Sequence, residues 1–93
     1  MKIRLKFEYT SSLIYIPDGF VLDIKLLQMN FLKWVEEQPD CIVLNKAGAC
    51  GISYCSDDFL RYVNDEILYE TNEKAYYINE VKNTEKRIPT LFF

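Results

Sequence analysis

Apolar and charged residues alternate along residues 2–9. The apolar members of this segment are Ile3, Leu5, Phe7 and Tyr9. An alternation of period two predicts a strand with one buried and one wet face, as antiparallel sheets have. Residues 13–16 are rich in strand-forming side chains and predict a second strand. Pro17-Asp18-Gly19 predicts a turn, after which residues 20–22 are expected to be extended.

The next segment repeats apolar residues at spacings of three and four, which predicts an amphipathic helix. Asp23 is the expected N-cap, and the helix is expected to end near residue 37, ahead of Pro39. Its predicted inner face consists of Ile24, Leu27, Phe31, Trp34 and Val35. Leu22, Leu26 and Met29 fall on the other side. The helix is therefore apolar over more than half its circumference, and we expect it to be sandwiched or to contact another chain.

A second helix is predicted from the N-cap Ser56 to about residue 69. Asp57 and Asp58 fall in its first turn, where acids complement the helix dipole. The residues expected to bury its inner face are Phe59, Leu60, Val63 and Ile67.

The remaining segments predict strands. Residues 41–45 and 51–55 read as a hairpin around a turn at 46–49, and residues 74–82 read as a last long strand. The tail, residues 86–93, ends in three large apolar side chains, which we expect to dock on its own sheet or on a second copy. The order β-β-α-β-β-α-β predicts a single α+β domain over residues 1–93, with two helices packed on a mainly antiparallel sheet of four to five strands.

Composition narrows the function classes. The chain has 93 residues, 11 basic and 14 acidic, for a net charge of −3, and it has no histidine. An acidic chain does not favour direct nucleic-acid binding. Without histidine, the chain lacks the commonest general base and the commonest metal ligand. The longest apolar runs have four residues, and no signal peptide is evident, so we expect a cytoplasmic protein without membrane association.

The cysteines and carboxylates predict no chemistry. Cys41, Cys50 and Cys55 match no zinc spacing, and we interpret them as reduced, buried structural thiols. Adjacent acids such as Asp57 and Asp58 point about 100° apart on a helix, so they do not form a catalytic pair. No phosphate-binding glycine loop is present. We therefore expect no catalytic residues, no metal and no cofactor.

The charge distribution is the strongest functional signal. Residues 36–73 contain nine acids and two bases, a net charge of −7 within a chain of −3. On the second helix, the spacings i, i+4, i+7 and i+11 place Asp58, Tyr62, Asp65 and Tyr69 in one stripe. The stripe is flanked by further acids and lies opposite the predicted inner face. The candidate partner-binding residues are Asp58, Tyr62, Asp65, Glu66, Tyr69 and Glu70. Tyrosines ringed by carboxylates suit the capture of a basic protein, although such a run can equally be a solvated helix face.

Small size and an acidic, tyrosine-bearing surface resemble the immunity proteins that neutralise nuclease bacteriocins and contact-dependent toxins. The resemblance covers size and surface character and no sequence motif. It implies an immunity protein or antitoxin whose partner is a basic nuclease domain, and the Lys-, Ile-, Asn- and Tyr-rich composition is typical of an AT-rich bacterial gene. The alternatives are a phage-encoded inhibitor of a host defence nuclease of the CRISPR kind, and a structural module that dimerises through the first helix or the tail. An enzyme is the least favoured interpretation.

Overall fold

The computed structural model describes residues 1–21, 23–44, 50–78 and 88–93. The predicted turn at 46–49, Leu22, and the parts of the predicted last strand and tail within 79–87 lie outside the described residues. In chain order the elements are β1 (Lys2–Lys6), β2 (Ser11–Tyr15), α1 (Ile24–Glu36), β3 (Ile42–Leu44), β4 (Cys50–Ile52), α2 (Ser56–Tyr62), β5 (Tyr76–Ile78) and β6 (Thr90–Phe92), with a 3₁₀ turn at Pro39–Cys41 and a π-helical segment at Val63–Ile67.

Four of the strands form a mixed sheet in the order β5-β2-β1-β6. β2 pairs antiparallel with both β1 and β5, whereas β6 pairs parallel with β1. β3 and β4 form a separate antiparallel pair, as the predicted hairpin requires. The predicted α+β class, with two helices on a mainly antiparallel sheet, is confirmed. The fourth strand of the sheet comes from the C-terminal tail and not from the hairpin.

β1 is shorter than its alternating pattern predicts. Ile3 and Leu5 are fully buried, but the chain turns after Lys6, where the Phe7 N–H donates to the Thr10 carbonyl at 2.8 Å. Tyr9 lies in this turn and is 89% exposed. The prediction that Tyr9 faces the core is wrong, because the turn interrupts the strand before the alternation ends.

α1 begins where the sequence predicts. The Asp23 carboxylate caps it by accepting hydrogen bonds from the Lys25 and Leu26 N–H groups at 3.0 and 3.2 Å. Its buried residues are Leu27, Phe31 and Val35. Leu26 and Met29, on the other side, are 51% and 57% exposed, so nothing among the described residues sandwiches the helix.

The core is built around aromatic side chains from the helices and the tail. The Phe31 ring lies 5.0 Å from that of Phe59 and 5.7 Å from those of Tyr62 and Phe93, centroid to centroid. Edge-to-face and tilted contacts of this kind add to the free energy gained by burial. Ile3, Leu5 and Ile14 complete the core from the sheet and are fully buried.

The tail is docked on its own sheet, one of the two predicted arrangements. Leu91 is 3% exposed, and the Phe93 N–H donates to the Lys6 carbonyl at 2.9 Å. The Phe93 ring stacks on Phe7 at 4.8 Å. Gln28 Nε2 donates to the Phe92 carbonyl at 2.7 Å, so α1 covers part of the outer edge of β6.

The longest helix among the described residues, α1, has 13 residues. In this part of the chain no helix combines the length and the hydrophobicity needed to cross a lipid bilayer.

Candidate partner-binding surface

Asp58 has a structural role at the start of α2. The N-cap is Cys55, one residue before the predicted Ser56, and the Cys55 N–H donates to the Asp58 carboxylate at 2.9 Å. The same side chain lies 3.5 Å from the Arg61 guanidinium. Both contacts stabilise the first turn of the helix, so Asp58 is already engaged within its own chain.

Tyr62 is buried, and its predicted place on an exposed stripe is wrong. The side chain is 8% exposed, and its ring lies 5.4 Å from Trp34 and 5.7 Å from Phe31. Burial, followed by the nearby Glu66 carboxylate, raises the pKa of the Tyr62 phenol. The inner face of α2 runs through Phe59, Tyr62 and Val63, at spacings of three and four, because α1 packs against this side.

A π-helical segment, Val63–Ile67, follows α2 directly and changes the spacing of the residues that share one face. The Leu68 N–H donates to the Val63 carbonyl, five residues earlier, at 3.0 Å. The Asn64 amide then pairs with the backbone of Ala75, accepting from its N–H at 2.8 Å and donating to its carbonyl at 3.2 Å. These bonds fix residues 63–68 against the segment that enters β5. The prediction of a uniform α-helix to about residue 69 is therefore wrong: α2 ends at Tyr62, the π-helical segment ends at Ile67, and Tyr69 lies in the turn that follows.

Four of the six candidate residues are exposed and belong to this segment or follow it directly. We call Asp65, Glu66, Tyr69 and Glu70 the acidic surface. Tyr69 is 64% exposed. Glu66 accepts a hydrogen bond from the Trp34 indole Nε1 at 3.1 Å, which ties the acidic surface to α1.

Arg61, the basic residue of α2, forms its ion pairs with acids outside the acidic surface. Arg61 donates to Asp40 at 2.7 Å, contacts Asp58, and lies over the Trp34 ring at 5.0 Å. Its hydrogen bond to Asp40 holds the pKa of that carboxyl below its ordinary value. Among the residues that the structure describes, the carboxylates of the acidic surface form no ion pair. Within the described part of the chain, the acidic surface therefore combines an exposed tyrosine with negative charge that no ion pair neutralises.

A second acidic cluster brings Asp40, Cys41 and Asp58 close enough to share a cation, with their ligand atoms within 4.8 Å of one another. Arg61 pairs with both carboxylates, so a positive charge is already present in this cluster. Cys41 is 1% exposed, and its burial is the main reason that the pKa of its thiol is raised. A thiol that resists ionisation is a poor metal ligand and a poor nucleophile.

The cysteine interpretation is corrected at one position. Cys41 and Cys55 are free thiols, as predicted, but Cys55 is exposed at the N-cap of α2. The side chain of Cys50 lies outside the described residues.

A group of polar side chains that the sequence did not single out lies between β2, α2 and β5. The Tyr77 hydroxyl donates to Asp57 at 2.5 Å and lies 3.1 Å from Ser56 Oγ. Ser12 Oγ is 3.3 Å from Ser56 Oγ. Burial and the hydrogen bond to Asp57 raise the pKa of Tyr77 to about 12. The phenol is thus held in its protonated form, which makes this group a hydrogen-bonded connection between sheet and helix.

Trp34 and Arg61 are the residues near the acidic surface whose contacts sequence reasoning missed. A partly buried Trp requires an acceptor for its indole N–H, and a single Arg within an acidic helix favours a nearby carboxylate. These signals indicate that partners exist but do not identify Glu66 and Asp40.

The chain matches no protein-family model, no curated protein and no solved structure.

Proposed function

We propose that the chain is a non-catalytic inhibitor that binds a basic protein through the acidic surface. The most specific form of the proposal is a bacterial immunity protein or antitoxin that acts in the cytoplasm on a nuclease toxin. The proposal uses four of the six residues predicted from the sequence and leaves Asp58 and Tyr62 with structural roles.

The observation that carries the proposal is the exposed side chain of Tyr69, which is near in sequence to carboxylates that form no ion pair with any described residue. Tyrosine offers a large, rigid contact surface with a polar tip, which is why it is common among the residues that dominate binding energies. Carboxylates around such a residue attract a basic partner and raise the association rate.

A nuclease fits the chemistry of the partner. Proteins that bind nucleic acid place lysines and arginines where phosphates lie. The exposed carboxylates of the acidic surface can pair with the same basic side chains, either in the active-site groove of the nuclease or beside it. A phage-encoded inhibitor of a host defence nuclease would use the same chemistry, and the neighbouring genes distinguish the two.

A dimerising module is the second candidate, favoured by the exposure of Leu26 and Met29 on α1. Under that function the two side chains would be covered by a second copy, and the acidic surface would keep the assembly dissolved. Sedimentation of the purified protein separates the two functions, since the inhibitor is expected to be monomeric when no partner is present.

The test is to purify the product of the adjoining gene and assay its nuclease activity with and without this chain. We expect a stoichiometric complex and loss of nuclease activity at equimolar chain. A neighbouring product without nuclease activity, or a nuclease that stays fully active in excess chain, contradicts the proposal.

A further inference from the structure

A groove of about 300 Å³ lies between α1, the turn before it, and the end of α2. Its apolar walls are formed by Phe20, Val21, Leu26, Leu27, Tyr62 and Ile67. The groove is open to solvent at Leu26, which is 51% exposed. Its size is at the low end of ligand pockets, which run to about 1,000 Å³, and suits one or two side chains better than a cofactor.

Among the described residues, the polar groups that line the groove are acidic or neutral. Asp23 and Asn30 complete the lining, and neither Lys25 nor Lys33, the bases of α1, contributes to it. Glu66 lies outside the lining but close to it, because it accepts a hydrogen bond from Trp34, whose ring packs 5.4 Å from that of the wall residue Tyr62.

The groove and the acidic surface share one segment of the chain. Residues 65–70 supply Ile67 to the groove wall and also carry Asp65, Glu66 and Glu70. A partner that binds the acidic surface therefore passes close to an open apolar groove.

We propose that the groove receives one large apolar side chain of the partner, flanked in the partner's sequence by lysines or arginines that meet Asp23 and Glu66. This inference rests on the proposed function in taking the partner to be basic, and it adds a hydrophobic anchor at a defined place. A buried anchor surrounded by complementary charge is the usual composition of an energetically dominant contact.

Charge argues against a second copy as the occupant. The chain carries −3, and a two-fold dimer through this groove would bring Asp23 and Glu66 of one protomer towards the same acids of the other. Like charges at an interface oppose association, whereas a basic segment gains from the same arrangement.

The test is an NMR titration of the isotope-labelled protein with two capped peptides, Lys-Lys-Phe-Lys-Lys and Lys-Lys-Ala-Lys-Lys. We expect the Phe peptide to bind about tenfold more tightly, because only its ring gains burial in the groove. It should shift the methyl signals of Leu26, Leu27 and Ile67, while both peptides shift the amides of the acidic surface.

Two matched variants check the location. Leu26→Ala should reduce the tenfold preference for the Phe peptide to less than twofold. Met29→Ala should leave it unchanged, because Met29 is equally exposed on α1 but does not line the groove.

The outcomes separate the groove from the acidic surface. Equal affinity for the two peptides, with shifts confined to the acidic surface, overturns the groove and supports the proposed function. Shifts confined to the groove support the groove and count against the acidic surface. Absence of binding by either peptide overturns the groove, and the nuclease assay then decides the proposed function alone.

Discussion

The Trp34 indole donates a hydrogen bond to the Glu66 carboxylate across 3.1 Å, and so joins α1 to the acidic surface. The same Trp34 ring contacts Tyr62 at 5.4 Å and supports Arg61 at 5.0 Å. Trp34 therefore contacts three residues of the second helical region: the buried Tyr62, Arg61, and Glu66, which forms no ion pair with a described base. The placement of the acidic surface depends on the packing of the two helices.

Tyr62 and Tyr69 are expected to respond oppositely to truncation. Tyr62→Ala should reduce the free energy of unfolding by about 3–5 kcal/mol, as Phe59→Ala should, because both side chains are buried. Tyr69→Ala should change it by less than about 0.5 kcal/mol, since Tyr69 is 64% exposed. Chemical denaturation of the three variants measures this. A stable Tyr62→Ala protein would contradict the burial of this side chain.

The C-terminal strand is expected to contribute directly to stability. Leu91→Ala should cost about 2–5 kcal/mol, because Leu91 is 3% exposed within β6. Phe92→Ala, one residue further along the same strand, is the control and should cost less than about 0.5 kcal/mol at 67% exposure. Denaturation curves and sedimentation of both variants report stability and assembly. Equal losses in the two variants, or a change of assembly in Leu91→Ala alone, would contradict a tail docked within its own chain.

The Asp40–Arg61 pair predicts a specific dependence of stability on pH. Arg61 lowers the folded-state pKa of Asp40, so the pair stabilises the fold above the unfolded-state pKa, near about 3.9. That contribution is lost as pH falls through the folded-state value. The difference in the free energy of unfolding between the parent and Asp40→Asn should therefore be greatest near pH 7 and should decrease as the pH falls to about 2.

Urea denaturation over this pH range measures the effect, with Glu37→Gln as an exposed acidic control that makes no ion pair among the described residues. A difference that widens on acidification would contradict the assignment.

The sequence predicts the fold better than it predicts the surface. The alternation in β1, the helical spacing in α1 and the apolar tail each indicate which side chains are buried. Those burial patterns are enough to predict the α+β class. The register of β6 beside β1 depends on pairing between residues about 85 positions apart, as Leu5 and Leu91 are, and no local pattern contains it.

The candidate site is predicted in part for a related reason. Asp65, Glu66, Tyr69 and Glu70 are exposed as expected, since charged side chains favour solvent and Tyr69 lies in the turn after the helical segment. Tyr62 is misplaced because a tyrosine suits either environment, and only the packing of Trp34 on α2 decides between them. The capping bond of Asp58 is not predicted, because it requires Cys55 as the N-cap, and cysteine is not among the usual capping residues.

The most direct test of the acidic surface is a calorimetric titration of the proposed nuclease partner with two charge-reversed proteins. Asp65→Lys/Glu70→Lys alters the acidic surface, and Glu36→Lys/Glu37→Lys alters two exposed acids near the end of α1. Both proteins have the same net charge, so a difference between them reports position. We expect the first to bind at least about tenfold more weakly than the parent, about 1.4 kcal/mol, and the second to bind within about threefold. Equal affinities for the two proteins would contradict the account.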